Sequence, residues 1–144
     1  MQNILVVEDD YDLNQAICYS LKKSGYGVYG VTFMEKGKQI FFENQIDMVL
    51  LDVNLPDGEG FSFCRWVKAK REVPVMYLTA RDMEEDALAG YDSGAEDYVI
   101  KPFSMKVLLK KIDIILKRAV LSKRMIFTDE YLYIDLENAK VLVE

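Results

Sequence analysis

The chain has 144 residues, about half of them hydrophobic, a net charge of -6 and no histidine. This length suits one compact domain plus a fragment of another, and the acidic balance argues against bulk attraction to nucleic acid. Without histidine, neither His-based catalysis nor a His metal site is possible. Cys18 and Cys64 lack CxxC spacing and fall in helical patterns, which indicates unpaired thiols. The short apolar start is no signal peptide and no stretch reaches membrane-spanning length, so we predict a cytoplasmic protein without membrane contact.

Apolar runs of strand length alternate with helical periodicity in the first half of the chain. The spacing of Leu13, Ala16, Ile17 and Leu21 predicts a first helix. This helix should end at Ser24-Gly25, because glycine suits a left-handed helix end. Strands are predicted at residues 4–7, 28–31 and 48–51, with a less regular helix around residues 40–42.

The second half continues the alternation after a turn-rich loop at residues 54–60. The predicted elements are a helix to residue 71, a strand at 75–78, a helix at 82–91, a strand at 97–100 and a helix from 104 to about 121. Five strand-helix units with right-handed crossovers predict an α/β domain. Its doubly wound, five-stranded parallel sheet should carry helices on both faces.

The tail has a different pattern. A basic stretch ending near Arg124 precedes two apolar runs at residues 131–136 and 140–143, which predict a hairpin. A two-stranded hairpin is marginal alone. We therefore expect residues 1–121 to form the first domain, and residues 122–144 to form a linker and the opening hairpin of a truncated second domain.

Polar residues stand where four of the predicted strands end. They are Glu8 and Asp9 after the first strand, Asp52 after the third, Thr79 after the fourth and Lys101 after the fifth. The carboxyl ends of parallel strands meet at one edge of an open α/β sheet, where functional groups collect. We therefore predict a single site assembled from these four places.

The chemistry of this site requires a cation. A pair of carboxylates about 5 Å apart costs roughly 3 kcal/mol at an effective dielectric near 20. Lys101 and a bound divalent ion are the candidates, and Mg²⁺ prefers oxygen ligands together with phosphate oxygens. With the charge balanced, Asp52 can attack phosphorus as a nucleophile, and Thr79 can donate a hydrogen bond to a phosphoryl oxygen. Pro102 permits a cis peptide bond that would aim Lys101 inward.

A plainer interpretation of the acidic run is a solvated loop that caps the following helix, since acidic residues favour helix N-termini. Asp10 or Asp12 fits that role. For Glu8 and Asp9, the matching Asp52 and Lys101 favour metal binding instead.

At these residues the chain resembles the receiver domain of bacterial two-component response regulators, over roughly residues 1 to 121. The resemblance implies a flavodoxin-like sheet with strand order 2-1-3-4-5. The ordered motifs that carry it are Val7-Glu8-Asp9-Asp10, Leu51-Asp52-Val53-Asn54-Leu55-Pro56-Asp57-Gly58, Leu78-Thr79-Ala80-Arg81, Gly94-Ala95-Glu96-Asp97-Tyr98 and Lys101-Pro102-Phe103.

The resemblance also implies roles for these residues. Asp52 would accept a phosphoryl group from a sensor histidine kinase, and Thr79 and Lys101 would bind that group. Tyr98 matches the aromatic switch position that turns inward when the threonine moves. The Mg²⁺ ligands would be Glu8, Asp9, Asp52 and the Asn54 carbonyl. Phosphorylation would shift a two-state equilibrium, with no enzymatic activity beyond self-catalysed phosphoryl transfer and autodephosphorylation.

The tail looks like the opening strands of the winged-helix domain of the OmpR/PhoB-like subfamily, so DNA would be bound only through that incomplete domain, controlling transcription. In this subfamily, receivers form homodimers through the fourth helix, fifth strand and fifth helix. The residues that could supply charged pairs there are Glu96, Asp97, Lys111, Lys117 and Arg118.

Two positions depart from the subfamily pattern. Ala89 and Val107 stand where an arginine and a glutamate are usual. Val107 and Ile114 lie on a common side of the last predicted helix, so an apolar contact could replace the lost ion pair. The alternative is therefore an atypical receiver that dimerises and acts without phosphorylation.

Two other functions on related folds fit the residues less well. A phosphoaspartyl hydrolase needs an acid two residues after its nucleophile, but Asn54 cannot shuttle a proton. A flavin-binding module cradles a phosphate after the first strand, where Glu8, Asp9 and Asp10 would repel it.

Overall fold

The computed structural model describes residues 1–80 and 94–137, with side chains to residue 122. Five parallel strands form one sheet with the order β2-β1-β3-β4-β5, which confirms the predicted fold class and strand order. The strands are β1 (Asn3–Val7), β2 (Gly27–Val31), β3 (Met48–Asp52), β4 (Val75–Thr79) and β5 (Asp97–Ile100).

Helices cover both faces of the sheet. They are α1 (Tyr11–Lys23), α2 (Met34–Glu43), α3 (Gly60–Lys70) and a long final helix (Met105–Glu137). Alternate residues of a strand point to opposite faces, so each face has its own core. On one face Leu5 and Val7 pack with α2 and α3, and on the other Ile4 and Val6 pack with α1 and the final helix. The central strand β3 is buried along its whole length, as continuous apolar runs in parallel sheets are.

The first helix ends where its sequence predicts. Ser24 is the C-terminal cap and Gly25 follows it with a φ of 98°, a conformation that glycine adopts without strain. At the other end of α1, the Asp10 side chain accepts a hydrogen bond from the Leu13 N–H, which confirms the capping role. Cys18 and Cys64 are buried free thiols.

The last helix is longer than its sequence predicts. It continues from Met105 to Glu137, so the first strand of the predicted hairpin, residues 131–136, is helical and that prediction is wrong. Between Met105 and Glu137 the sequence has no glycine or proline, so nothing local ends the helix. The second predicted strand, residues 140–143, and the predicted fourth helix with Ala89 lie outside the described residues. Within the described residues, no helix is long and apolar enough to span a membrane.

Candidate functional site

The register of the sheet brings the four strand ends together. Val7 lies beside Leu51, and Thr79 beside Ile100, so the residues that follow β1 and β5 emerge at the same edge as Asp52 and Thr79. Asp52 itself pairs with Leu78, one residue before Thr79. The predicted convergence of these side chains is therefore what the backbone imposes.

Three carboxylates form a cluster at this edge. One oxygen each from Glu8, Asp9 and Asp52 lies within 4.8 Å of the others. Glu8 is fully buried, Asp52 is 6% exposed, and Asp9 is exposed to solvent. Backbone N–H groups hold two of the carboxylates in place: Asp10 donates to Glu8 Oε2 at 2.9 Å, and Asn54 donates to Asp52 Oδ1 at 3.0 Å.

Lys101 connects the two buried carboxylates. Its Nζ lies 2.5 Å from Glu8 Oε1 and 3.0 Å from Asp52 Oδ2. The Lys101-Pro102 peptide bond is cis, as Pro102 suggests. The Lys101 N–H also donates to the Thr79 carbonyl oxygen at 2.6 Å, which fixes the start of the loop after β5 against the end of β4. The backbone of Lys101 is thus fixed beside β4, and its side chain reaches both buried carboxylates.

The pKa values at this site reflect burial and charge together. Burial raises the pKa of the Glu8 carboxyl from 4.5 to about 7, with the Asp52 charge adding to the rise and the Lys101 ammonium opposing it. Burial alone would lower the pKa of Lys101, but its hydrogen bonds to Glu8 and Asp52 outweigh that effect and raise it. Glu8 consequently holds its proton to a higher pH than an exposed glutamate, while Lys101 keeps its charge.

The donor set fits a divalent ion. Glu8 Oε1 is buried, and its contact in the described part of the chain is the Lys101 ammonium. When Glu8 is ionised, as metal binding requires, the three carboxylates and one ammonium carry a formal charge of -2, which a doubly charged cation neutralises. All three side chains offer the hard oxygen ligands that Mg²⁺ prefers. Glu8, Asp9 and Asp52 could therefore hold Mg²⁺.

Magnesium affinity is expected to depend on pH through Glu8. Because the ion needs the carboxylate and the pKa is about 7, lowering the pH from 8 to 6 should weaken apparent Mg²⁺ affinity about tenfold. The folding stability of the metal-free chain depends on pH in the opposite direction: Mg²⁺ affinity rises with pH, whereas this stability falls. The folded chain keeps a proton that the unfolded chain releases above pH 4.5, so metal-free stability should fall as the pH rises from about 4.5 to 7.

Calorimetric Mg²⁺ titrations at pH 6, 7 and 8 measure this effect. The chain has no histidine, so no histidine titration can mimic it. Glu8→Gln is the matched control, whose weaker binding should be flat across the same pH range. An equally steep pH dependence in Glu8→Gln would show that another group is responsible.

Thr79 and Tyr98, the two predicted switch residues, lie on adjacent strands. Thr79 is buried at the end of β4, next in sequence after Leu78, which pairs with Asp52. Tyr98 is half-buried on β5, pairs with Tyr77 of β4 and packs against the core on the side of α2 and α3. The structure thus joins the two residues through adjacent strands.

Most charged residues predicted for a dimer interface have partners within the chain. Glu96 binds Lys68 Nζ at 2.8 Å and accepts from the Val75 N–H at 2.8 Å. Asp97 pairs with Lys111 at 3.0 Å. Lys117 likewise pairs with Asp113 at 3.0 Å, whereas Arg118 is exposed. These internal pairs limit the charge that is available to a second copy.

A residue that supports the site was missed at the level of sequence. Asn14 is buried on α1, and its Nδ2 donates to the carbonyl oxygens of Glu8 at 3.0 Å and Val31 at 2.8 Å. It thereby ties the end of β1 to the end of β2 and fixes the backbone of Glu8. The helical spacing of Asn14 with Ile17 and Leu21 could have indicated that it is buried. Ala16, which was assigned to the buried face of this helix, is instead exposed.

Comparison with known sequences gives the class of protein that this fold and site define. The family described as the response regulator receiver domain matches residues 4–113. The chain therefore belongs to the response regulator receiver family. A receiver domain is a signalling phosphoacceptor domain and not a classical enzyme.

Solved structures agree with this assignment. A two-component response regulator from Clostridium difficile is 28% identical with a TM-score of 0.80, over 83% of this chain and 98% of that chain. The non-phosphorylated HemR receiver domain from Leptospira biflexa is 31% identical with a TM-score of 0.75, over 81% and 94%. DrrB, an OmpR/PhoB homologue from Thermotoga maritima, is 35% identical with a TM-score of 0.77, over 83% of this chain and 54% of that chain.

Proposed function

We propose that Asp52 is the phosphoacceptor of a two-component phosphorelay and takes its phosphoryl group from a phosphohistidine of a sensor histidine kinase. The observation that carries the proposal is the placement of the Asp52 carboxylate. It is almost completely buried at the carboxyl edge of the sheet, 3.0 Å from Lys101 Nζ and within 4.8 Å of Glu8 and Asp9. Membership of the receiver family supports the same role.

Each neighbour of Asp52 has a role in this proposal. Mg²⁺, held by Glu8, Asp9, Asp52 and the Asn54 carbonyl, would neutralise the charge that builds up on the phosphoryl oxygens. Lys101 holds one Asp52 oxygen before reaction and then binds the phosphoryl group. The Thr79 hydroxyl donates to a phosphoryl oxygen. The acyl phosphate that forms is later hydrolysed on the same site, so the only chemistry is self-catalysed transfer and autodephosphorylation.

The output is a change of population between two conformations. We propose that Thr79 moves toward the phosphoryl group and that Tyr98 turns inward in response. This would alter the surface that the predicted fourth helix is expected to share with β5 and the final helix. The chain is similar to DrrB, an OmpR/PhoB homologue, and we propose a homodimer through this surface, with Ala89, Glu96, Asp97 and the final helix contributing.

The region after residue 121 belongs to the same proposal. We propose that residues 122–144 link the receiver to a DNA-binding transcriptional output domain, through which alone DNA is contacted. This chain spans about half of the DrrB chain that it matches. In the structure the first part of this region, to Glu137, continues the final helix rather than forming a hairpin strand.

The test is the intact mass of the full chain after incubation with acetyl phosphate, with and without Mg²⁺. We expect a gain of one phosphoryl group only when Mg²⁺ is present, because the ion neutralises the carboxylate cluster that would otherwise repel the donor. Chelation with excess EDTA before donor addition should abolish the gain. No gain from either acetyl phosphate or a phosphorylated histidine kinase would contradict the proposal.

A second candidate is a receiver that dimerises without phosphate. The observation in its favour is that Val107 and Ile114, seven residues apart on the final helix, are 49% and 38% exposed. Sedimentation of the same samples separates the two functions. Dimers that appear only with the phosphoryl group support the first, and equal dimerisation before and after phosphorylation supports the second.

A further inference from the structure

The residues between Asp52 and α3 form a small hairpin, which we call the 54–59 hairpin. Its two strands, Asn54–Leu55 and Gly58–Glu59, pair antiparallel, with Asn54 opposite Glu59. At the base, Gly60 N donates to the Val53 carbonyl at 2.6 Å. Two residue pairs are too few to hold such a ladder rigid in water, so its conformation depends on what else anchors it.

The tip of this hairpin is anchored to another helix. The two oxygens of Asp57 accept hydrogen bonds from the first backbone N–H groups of α2, Met34 at 2.8 Å and Glu35 at 3.0 Å. The residue before α2, Phe33, has no side chain that can cap it. Asp57 therefore satisfies N–H groups that the start of α2 leaves open, and its negative charge suits the positive end of the helix.

Close packing and the charge state of Asp57 both support this contact between the hairpin tip and α2. A Cβ at Gly58 would lie 2.3 Å from Met34 Cε, so the Met34 side chain covers the hairpin tip closely. Burial tends to raise the pKa of Asp57, but the hydrogen bonds from Met34 and Glu35 outweigh it and lower the pKa below its ordinary value. The carboxylate of Asp57 is therefore ionised in the neutral range, which is the form that accepts both hydrogen bonds.

We infer that Asp57 is a positioning residue, which holds the 54–59 hairpin against α2 so that the Asn54 carbonyl is already in place when Mg²⁺ binds. The inference rests on the proposed function, because it needs Mg²⁺ at Glu8, Asp9 and Asp52. Asn54 opens the hairpin and donates its N–H to Asp52 Oδ1, and Asp57 anchors it three residues later. Without the anchor the hairpin would have to be ordered at each binding event, which weakens binding in proportion to the lost population.

A merely structural role is the competing explanation. In that case Asp57 caps α2, and its loss lowers stability without affecting the metal. Arg71 offers a matched control, because its guanidinium donates to the carbonyl oxygens of Phe41 and Asn44 at the other end of α2, away from the hairpin. Arg71→Gln should therefore loosen α2 and leave the 54–59 hairpin anchored.

The experiment titrates Mg²⁺ alone into the full chain and its Asp57→Ala, Asp57→Asn and Arg71→Gln variants by calorimetry at pH 8, with thermal melting in parallel. We expect the Mg²⁺ Kd of Asp57→Ala to rise about three- to tenfold. Asp57→Asn keeps one acceptor oxygen, so its Mg²⁺ Kd should lie between those of the wild type and Asp57→Ala. It replaces Asp57→Ala if that variant does not fold. Arg71→Gln should melt at a lower temperature with an unchanged Kd.

A second readout separates positioning from a chemical role. The acetyl phosphate reaction of Asp57→Ala should be slow at limiting Mg²⁺ and recover the wild-type rate at saturating Mg²⁺. An Asp57→Ala or Asp57→Asn variant that melts earlier but has the wild-type Kd would overturn the inference and leave the proposed function intact. A wild-type chain that binds no Mg²⁺ would overturn the proposed function and, with it, the inference.

Discussion

Asp52→Asn is expected to abolish the Mg²⁺-dependent gain of a phosphoryl group completely. An amide is close to a carboxylate in shape but has no negative oxygen to attack phosphorus, so the change removes the nucleophile and leaves the packing almost untouched. Intact-protein mass measures the gain, and melting curves confirm that the variant is folded. Any dimer that depends on phosphate should disappear in the same variant.

Asp113→Asn is the matched control for this experiment. Asp113 pairs with Lys117 on the final helix, so the control makes the same chemical change in an ion pair outside the site. It should be phosphorylated at the wild-type rate. Retention of the full mass gain by Asp52→Asn would mean that another group, such as Asp9, accepts the phosphoryl group, and the proposed function would need a different acceptor.

The site could be predicted from the sequence because each of its main residues directly follows or ends a strand. Once residues 4–7, 48–51, 75–78 and 97–100 are recognised as parallel strands, the sheet itself brings their ends together. No side-chain detail is needed for that step. Glu8 contacts Lys101 because both residues follow strands that end at this edge of the sheet.

The supporting residues could not be predicted in the same way. Asp57 lies 23 residues from Met34, and their contact exists only because α2 and the 54–59 hairpin meet after the sheet has formed. Asn14 likewise depends on the position of β2, since half of its role is the bond to Val31. Local sequence patterns report which face of an element is buried, but they carry little information on which distant backbone group a polar side chain will reach.

At the end of the final helix, a local sequence pattern predicted the wrong type of secondary structure. The alternating residues 131–136 fit a strand by pattern, yet a strand requires neighbours and a helix satisfies its own backbone. With no glycine or proline to end the helix, the local preference decides. The intramolecular ion pairs of Glu96 with Lys68 and of Asp97 with Lys111 were likewise not predictable from the sequence, because they form only once the elements that carry these residues have packed together.

Lys101 contacts groups that belong both to the fold and to the proposed chemistry. It is the cation that contacts both buried carboxylates, and its backbone is fixed to Thr79. Replacing it would leave Glu8 and Asp52 without their shared partner. Loss of one partner of a buried ion pair is costly, though here Glu8 can take up a proton and limit the loss of stability.

Lys101→Met is therefore expected to change two properties in different directions. The initial rate of phosphorylation by acetyl phosphate at pH 8 and saturating Mg²⁺ should fall about 100-fold or more, because a fixed cation no longer faces the phosphoryl oxygens. Without Lys101 the pKa of Glu8 should rise further, so Mg²⁺ affinity should be kept or increased only at a pH high enough to ionise Glu8, where the carboxylates have lost a competing positive charge. Lys111→Met is the matched control, because Lys111 forms an ion pair with Asp97 at 3.0 Å, the same distance as between Lys101 and Asp52. This control should leave both properties unchanged. If Lys101→Met instead lost Mg²⁺ affinity and phosphorylation together and melted early, Lys101 would act mainly through the fold, and a direct role at the phosphoryl group would be refuted.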